Sequence, residues 1–187
     1  MRPWLLAAVL MTGFQWLPDR AYEALIYTRD ALASGQIWRI WTANFIHLGW
    51  NHLWLNLAGF LVIGWLFADE ASLPVWIGVL VFCCLASSLG MFWLTPDADR
   101  VVGMSGVLHG LFAFGSICWI RSGYRFGWVL LIGMFVKLYW EQSRGAMPFS
   151  EEFVGGPVIT DAHLWGAIGG VVCGVVMLIW QRLRPRV

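Results

Sequence analysis

The sequence predicts an all-α membrane protein of six transmembrane helices with a long interfacial first loop. Its residues are 59% hydrophobic and 12% charged, whereas soluble domains average roughly 45–50% apolar and about 25% charged. The apolar residues also fall into six runs separated by polar connections. Six spans of about 20 residues with their connections use up most of the chain. We therefore expect one membrane domain over residues 1–187, without a separate soluble domain.

The six apolar runs give the predicted helices in order. They cover residues 4–17, 51–68, 73–95, 104–120, 126–140 and 162–181. The first and fifth are short for a hydrocarbon core of about 30 Å, so they must lie where the bilayer is thin or be extended by flanking residues. Lys137, near the end of the fifth helix, is expected to extend its ammonium group to the interface.

The loop over residues 18–50 is the longest connection, and it mixes aromatic and aliphatic side chains with charges. Trp and Tyr favour the headgroup region, where one part of the ring system can stay wet. This pattern predicts an interfacial, partly helical loop in contact with membrane lipid.

Charge distribution predicts the orientation. The arginines of short connections and ends would be cytoplasmic if the N-terminus is inside: Arg2, Arg121, Arg125, Arg182, Arg184 and Arg186. Residues 1–17 lack a convincing signal-peptidase site, so they are interpreted as the first span. An even number of helices then places both termini in the cytoplasm, and we expect a bacterial inner membrane.

Several function classes lack support in the composition. A net charge of +1 argues against nucleic acid as a partner. The four cysteines lie in apolar runs without C-x-x-C spacing, so neither a metal nor another cofactor is expected.

Polar residues mark the first turns of the second, fourth and sixth helices, which all begin on the non-cytoplasmic side in this topology. They are His52 and Asn56, then Ser105 and His109, then His163. Polar groups within spans are costly and commonly mark a site. The alternative is that each residue only bonds to a neighbouring helix.

These residue types suit acyl transfer. Gly103 and Gly106 flank Ser105 in a turn that can present a hydroxyl, and His163 can take its proton. His52 and Asn56 share a helical face and can donate hydrogen bonds to an oxyanion. Asp161 would not share a helical face with His163, so no carboxylate is assigned to the pair.

Small residues at four-residue spacing predict close packing of the fourth and sixth helices. They are Gly106 and Gly110 in the fourth helix and Gly166, Gly170 and Gly174 in the sixth. Ordinary membrane helix packing would use them equally well.

Taken together, the motifs resemble those of the rhomboid family of intramembrane serine proteases. The matching stretches are Trp38-Arg39, Thr42, Phe45, His47, His52-x-x-x-Asn56, Gly103-x-Ser105-Gly106 and Ala162-His163-x-x-Gly166-x-x-x-Gly170. The resemblance implies a six-helix rhomboid bundle and a serine endopeptidase that needs no cofactor.

The resemblance also implies roles for individual residues. Ser105 would be the nucleophile and His163 its base, in a dyad without a carboxylate. The oxyanion hole would comprise His52, Asn56 and the Ser105 N–H group. Trp38 and Arg39 would be structural, and the fifth helix with the following loop would admit a substrate helix.

His109 departs from the many rhomboids that have a tyrosine four residues after the nucleophile. It would stack on His163 and tune it, or simply pack. The stretches at 105–110 and 161–166 resemble the bacterial rhombosortase branch. Membership of that branch implies transmembrane substrates with a C-terminal Gly-Gly, an apolar helix and a basic tail.

Three alternatives stay open at this point. The protein could be a general rhomboid protease for other single-span substrates, or a non-catalytic rhomboid-like protein that binds client helices. Four histidines among many aromatic residues also permit a haem or metal carrier.

Overall fold

The computed structural model describes residues 2–183, and the side chains of residues 3–183. Six helices of 13 residues or more dominate it: α1 (Arg2–Phe14), α5 (Trp50–Phe67), α6 (Leu73–Leu94), α7 (Ser105–Arg121), α8 (Phe126–Arg144) and α10 (Thr160–Leu183). Each overlaps one of the six apolar runs. Arg184 and Arg186, used above for the orientation, lie outside the described residues, as does the side chain of Arg2.

Three of these helices are long and apolar enough to cross a membrane: Trp50–Glu70, which includes the turn after α5, Leu73–Leu94 and Thr160–Leu183. They make the chain an integral membrane protein. The helices α1 and α7 are shorter, with 13 and 17 residues. The helix α8 carries Lys137, Glu141 and Arg144. Crossing by these three stays a prediction.

The first loop is partly helical. It contains α2 (Asp19–Leu25), β1 (Tyr27–Thr28), α3 (Arg29–Ala33), α4 (Arg39–Thr42) and a 3₁₀ turn, Ala43–Phe45. The strand β1 pairs antiparallel with β2 (Arg100–Val101), with Tyr27 opposite Val101. The all-α expectation missed this ladder because two-residue strands are too short for a periodic pattern.

Two arginines fix the loop, one buried and one partly buried. Arg39, 7% exposed, donates to the backbone carbonyls of Glu23 and Ile26. Arg29 donates to the carbonyls of Met91, Phe92 and Thr95 at the end of α6. Those carbonyls lack intrahelical partners, so the guanidinium satisfies them and holds the loop against α6. Trp38 adds a bond from its indole N–H to the Ala24 carbonyl, at 2.9 Å.

Aromatic side chains fill the core between α1, α5 and α6. The Trp4 ring packs on Phe60 at 4.7 Å and edge-on to Trp76 at 5.5 Å between centroids. A Cβ atom on Gly64 would lie 2.6 Å from the Trp4 ring, so the glycine lets α1 approach α5.

The helices α7 and α10 meet backbone to backbone at their glycines. A Cβ atom on Gly106 would lie 2.5 Å from the Ala162 carbonyl oxygen, and one on Gly110 would lie 2.5 Å from that of Gly166. Cβ atoms on Gly166 and Gly170 would collide with the carbonyl oxygens of Gly106 and Gly110. The glycines therefore set how closely the first turns of the two helices approach.

Gly166→Ala should separate α7 from α10, because the added methyl group collides with a backbone carbonyl that cannot rotate away. We expect a loss of roughly 1–3 kcal/mol in the free energy of unfolding, measured by thermal unfolding in detergent. Gly78→Ala in α6 is the matched control, since its Cβ atom meets nothing within 4 Å. That change should be neutral or slightly stabilising. Equal stability of both variants would contradict this packing.

Candidate active site

A sharp turn delivers Ser105 to the start of α7. Gly103 has φ +108°, a conformation that residues with a Cβ atom rarely adopt, and its N–H donates to the Ala43 carbonyl at 3.1 Å. A Cβ atom there would also lie 2.5 Å from the His52 ring. Gly103 is thus needed both for the turn and for the approach of His52. As the first residue of α7, Ser105 has a backbone N–H without an intrahelical acceptor.

The structure brings the hydroxyl of Ser105 to the imidazole of His163. Ser105 Oγ and His163 Nε2 are 3.0 Å apart, across α7 and α10. His163 is 5% exposed in the first turn of α10. This distance suits transfer of the hydroxyl proton to the ring.

A carboxylate completes the environment of His163, and the expectation that none does so is wrong. His163 Nδ1 lies 2.9 Å from Glu141 Oε2, and Glu141 is 3% exposed. The fifth predicted helix stopped at residue 140, whereas α8 continues to Arg144. The additional turn carries Glu141 inward, so the partner of His163 comes from α8 and not from the neighbouring Asp161.

Lys137 also points to this group, which differs from the expected extension to the interface. Its Nζ atom lies 2.6 Å from Glu141 Oε1 and 3.0 Å from His109 Nε2. A cation and a carboxylate four residues apart on one helix form a natural pair. That spacing was visible in the sequence and could have revealed both residues.

His109 stacks on His163. Their ring centroids are 4.3 Å apart with 17° between the planes, and His109 Nδ1 lies 2.7 Å from the Ser105 carbonyl oxygen. Of the two options left open for His109, the structure shows the stack. Its ring limits the movement of the imidazole next to Ser105.

His52 and Asn56 lie on α5, which forms another side of the site. The N–H of Leu48 donates to His52 Nδ1 at 3.4 Å, so the ring proton resides on Nε2 and can be donated. Asn56 uses one amide N–H for the His52 carbonyl, at 2.8 Å, and an amide has a second one. Both residues line a cavity of about 440 Å³ with Ser105 and His163.

The chain after α8 contributes part of the lining of this cavity. Residues 145–159 include α9 (Ser150–Val154), and Met147, Val154 and Ile159 line the cavity. The Val158 N–H donates to the carboxylate of Glu151 at 3.1 Å, which ties the segment to itself.

Three side chains in the site could in principle ligate a metal. Donor atoms of His109, Glu141 and His163 lie within 4.8 Å of one another. Nearly parallel rings, however, direct their lone pairs side by side and not at one point. The Lys137 ammonium also lies among these donors. The arrangement suits a hydrogen-bonded cluster better than tetrahedral zinc.

The comparisons with known proteins identify the family. Residues 34–180 match the family model described as Rhomboid domain. The chain belongs to the rhomboid family. It is 32% identical over 146 residues to Rhomboid-like protein 11, chloroplastic, of Arabidopsis thaliana, covering 74% of this chain and 50% of that protein. It is 29% identical over 159 residues to an uncharacterized protein of Mycobacterium tuberculosis, covering 81% of this chain and 63% of that protein.

Rhomboid proteins are generally intramembrane serine proteases, and the match covers the second half of the first loop, all of α7 and most of α10. The chain spans between half and two thirds of the length of these curated relatives. The rhomboid domain therefore accounts for the fold.

His47 packs against His52, and its burial predicts that the stability of the protein depends on pH. It is 1% exposed and lies edge-on to His52, with centroids 5.1 Å apart. Burial, and to a smaller extent the neighbouring His52 ring, lower the pKa of His47 to about 3, although a bond to the Phe45 backbone opposes the shift. The folded state therefore holds His47 neutral where the unfolded chain binds a proton, from about pH 6.5 down to about pH 3.

Stability should accordingly fall as the pH decreases through this window, and His47→Gln should flatten the slope relative to the native protein. The difference should approach about 1.4 kcal/mol per pH unit below pH 6. Thermal unfolding in detergent between pH 4 and 8 measures it. Parallel stability curves for the two proteins would show that His47 is not buried in its neutral form.

Proposed function

We propose that the protein is an intramembrane serine endopeptidase in which Ser105 is the nucleophile and His163 the general base. The observation that supports this most is the 3.0 Å separation of Ser105 Oγ and His163 Nε2 inside a largely apolar cavity. A hydroxyl next to an oriented imidazole is the arrangement that activates serine for acyl transfer. The same cavity contains the donors that the reaction requires.

The reaction follows from these positions. His163 Nε2 takes the hydroxyl proton as Ser105 Oγ attacks the carbonyl carbon of the scissile peptide. The oxyanion receives hydrogen bonds from the Ser105 N–H, His52 Nε2–H and the second N–H of Asn56. His163 then protonates the leaving amine, and water or another acceptor releases the acyl group from Ser105. Loss of one oxyanion donor typically costs about 3–4 kcal/mol of transition-state stabilisation.

The substrates in this proposal are transmembrane proteins, and they enter between α5 and α8. A groove of about 520 Å³ separates these helices and reaches His109 and Lys137. Apart from those two residues, the groove is lined by apolar side chains and glycines. They include Gly59, Val62, Phe112 and Gly133. A substrate helix lying there would need to unwind locally before its carbonyl carbon reaches Ser105, so residues that unwind easily are favoured.

We further propose a C-terminal Gly-Gly, followed by an apolar helix and a basic tail, as the substrate signature, which would make this a rhombosortase. Support comes from the sequences at 105–110 and 161–166 and from the low cost of unwinding at glycine. Cleavage of other single-span proteins is the alternative outcome.

The proposed topology has six spans, with both termini in the cytoplasm of a bacterium and the cavity open toward the periplasm. Arg121 and Arg125, between α7 and α8, lie at the far end of α7 from Ser105. This supports a cytoplasmic position for that end. Reporter fusions at residues 123 and 147 should give cytoplasmic and periplasmic signals, respectively.

The activity test is co-expression with a reporter that ends in Gly-Gly, an apolar helix and an arginine tail. The native protein should shorten the reporter, and mass spectrometry should place the new C-terminus near the Gly-Gly. Ser105→Ala and His163→Ala should abolish cleavage, while His52→Ala should reduce it by about 10²–10³-fold.

A reporter with Leu-Leu in place of Gly-Gly serves as the specificity control. Equal cleavage of both reporters would contradict the rhombosortase assignment but leave the protease assignment intact. Cleavage that survives in Ser105→Ala would overturn the protease assignment. Binding of the reporter without cleavage by the native protein would favour a non-catalytic client-binding role.

A further inference from the structure

Glu141 and Lys137 form an ion pair directly behind the proposed catalytic histidine, with the carboxylate buried and the lysine partly exposed. The pair spans 2.6 Å, and the side chains are 2% and 36% exposed for Glu141 and Lys137, respectively. Both carboxylate oxygens are used, because Oε2 faces His163 and Oε1 faces Lys137. An ionised carboxylate in an apolar environment is costly unless it is paired and hydrogen-bonded. Glu141 is both paired with Lys137 and hydrogen-bonded to His163.

The chemistry of the pair fixes the direction of every hydrogen bond around it. An ammonium group can only donate, and an ionised carboxylate can only accept. Lys137 therefore donates to His109 Nε2, which leaves the His109 proton on Nδ1 for donation to the Ser105 carbonyl. Glu141 likewise requires the His163 proton on Nδ1, so Nε2 has a free lone pair facing Ser105 Oγ.

The bonds form a closed ring that begins and ends at Ser105. From its hydroxyl the ring passes through His163, Glu141, Lys137 and His109 and returns to its own carbonyl. When His163 is neutral, Glu141 ionised and Lys137 charged, reversing any one bond would leave a donor facing a donor or an acceptor facing an acceptor. In these charge states a single arrangement of protons satisfies all five contacts.

We propose that Glu141 and Lys137 are positioning residues for the hydrolysis, an inference that rests on the proposed function. Glu141 holds His163 in the tautomer that accepts the Ser105 proton and stabilises the imidazolium ion that forms. Lys137 keeps the carboxylate ionised and, through His109, fixes the ring stacked on His163. The site then works as a serine–histidine–glutamate triad with a built-in counter-ion, unlike the dyad implied by the family resemblance.

The charged and titratable groups that face Glu141 are Lys137 on its own helix, His163 on α10 and His109 on α7. Lys137→Met removes the single permanent cation among them. The ionised carboxylate is then disfavoured, and the acid limb of the pH–rate profile should move to higher pH. Lys137→Arg restores the positive charge and should return the limb toward its native position.

The test measures the rate at which a fluorophosphonate labels Ser105 in the purified full chain in detergent, from pH 5 to 9. Glu141→Gln should slow labelling by up to about 10⁴-fold, because a carboxamide no longer holds His163 in the tautomer that accepts the Ser105 proton. Lys137→Met should slow it at least 10-fold at pH 7, with partial recovery above pH 8. Glu141→Asp provides a second carboxylate variant in case Glu141→Gln fails to fold.

Glu70→Gln is the matched control. Glu70 accepts a bond from Ser122 just beyond the far end of α7, away from Ser105, so this variant should label at the native rate. Native rates and an unshifted pH profile in folded Glu141→Gln and Lys137→Met would overturn the positioning role and reduce the pair to a structural ion pair. If the native protein is neither labelled nor able to cleave the reporter, the proposed function itself fails, which is a separate result.

Discussion

The ion pair between Lys137 and Glu141 is the interaction on which the arrangement of the site depends. It places a carboxylate inside a bundle of apolar helices, where the charge would be unfavourable without the adjacent ammonium. Because the two residues are one helical turn apart, the pair is formed within α8 and requires no other element. His163 on α10 bonds to the remaining oxygen of Glu141, and His109 on α7 bonds to Lys137.

Backbone contact between α7 and α10 determines whether the ion pair can act on Ser105. The glycines at positions 106, 110, 166 and 170 leave no side-chain layer between these helices. A hydroxyl on one helix therefore reaches an imidazole on the other at 3.0 Å. Gly103 has the same effect toward α5, since its missing side chain admits the His52 ring. The glycines thus allow the polar groups to approach one another. The charges of Lys137 and Glu141 determine which ring nitrogens of His109 and His163 are protonated.

Part of this site follows from sequence alone. Polar residues in the first turns of three helices indicated that Ser105, His52, Asn56 and His163 share one depth, and the structure places them around one cavity. Glycine spacing likewise indicated where α7 and α10 touch. These features are periodic or repeated, so they can be recognised without coordinates.

Other features could not be obtained in this way. The predicted fifth helix ended before Glu141 because a charged residue after an apolar run is typical of a helix leaving the membrane. In the structure the helix continues, and the hydrogen bond to His163 and the ion pair with Lys137 offset the cost of the buried charge. The pairing of β1 with β2 joins residues more than 70 positions apart over two residues each, which leaves no local pattern. The stack of His109 on His163 depends on the rotation of two helices, and spacing alone left it as one of two options.

The most direct test of this account is the tautomer of each histidine, read by ¹⁵N NMR of histidine-labelled protein in detergent near neutral pH. Single His→Gln variants would assign the signals. The ring of hydrogen bonds predicts His163 and His109 protonated on Nδ1, and the bond from the Leu48 N–H predicts His52 protonated on Nε2. A His163 ring with its proton on Nε2 would contradict the account, because neither Glu141 nor Ser105 could then have the role assigned to it.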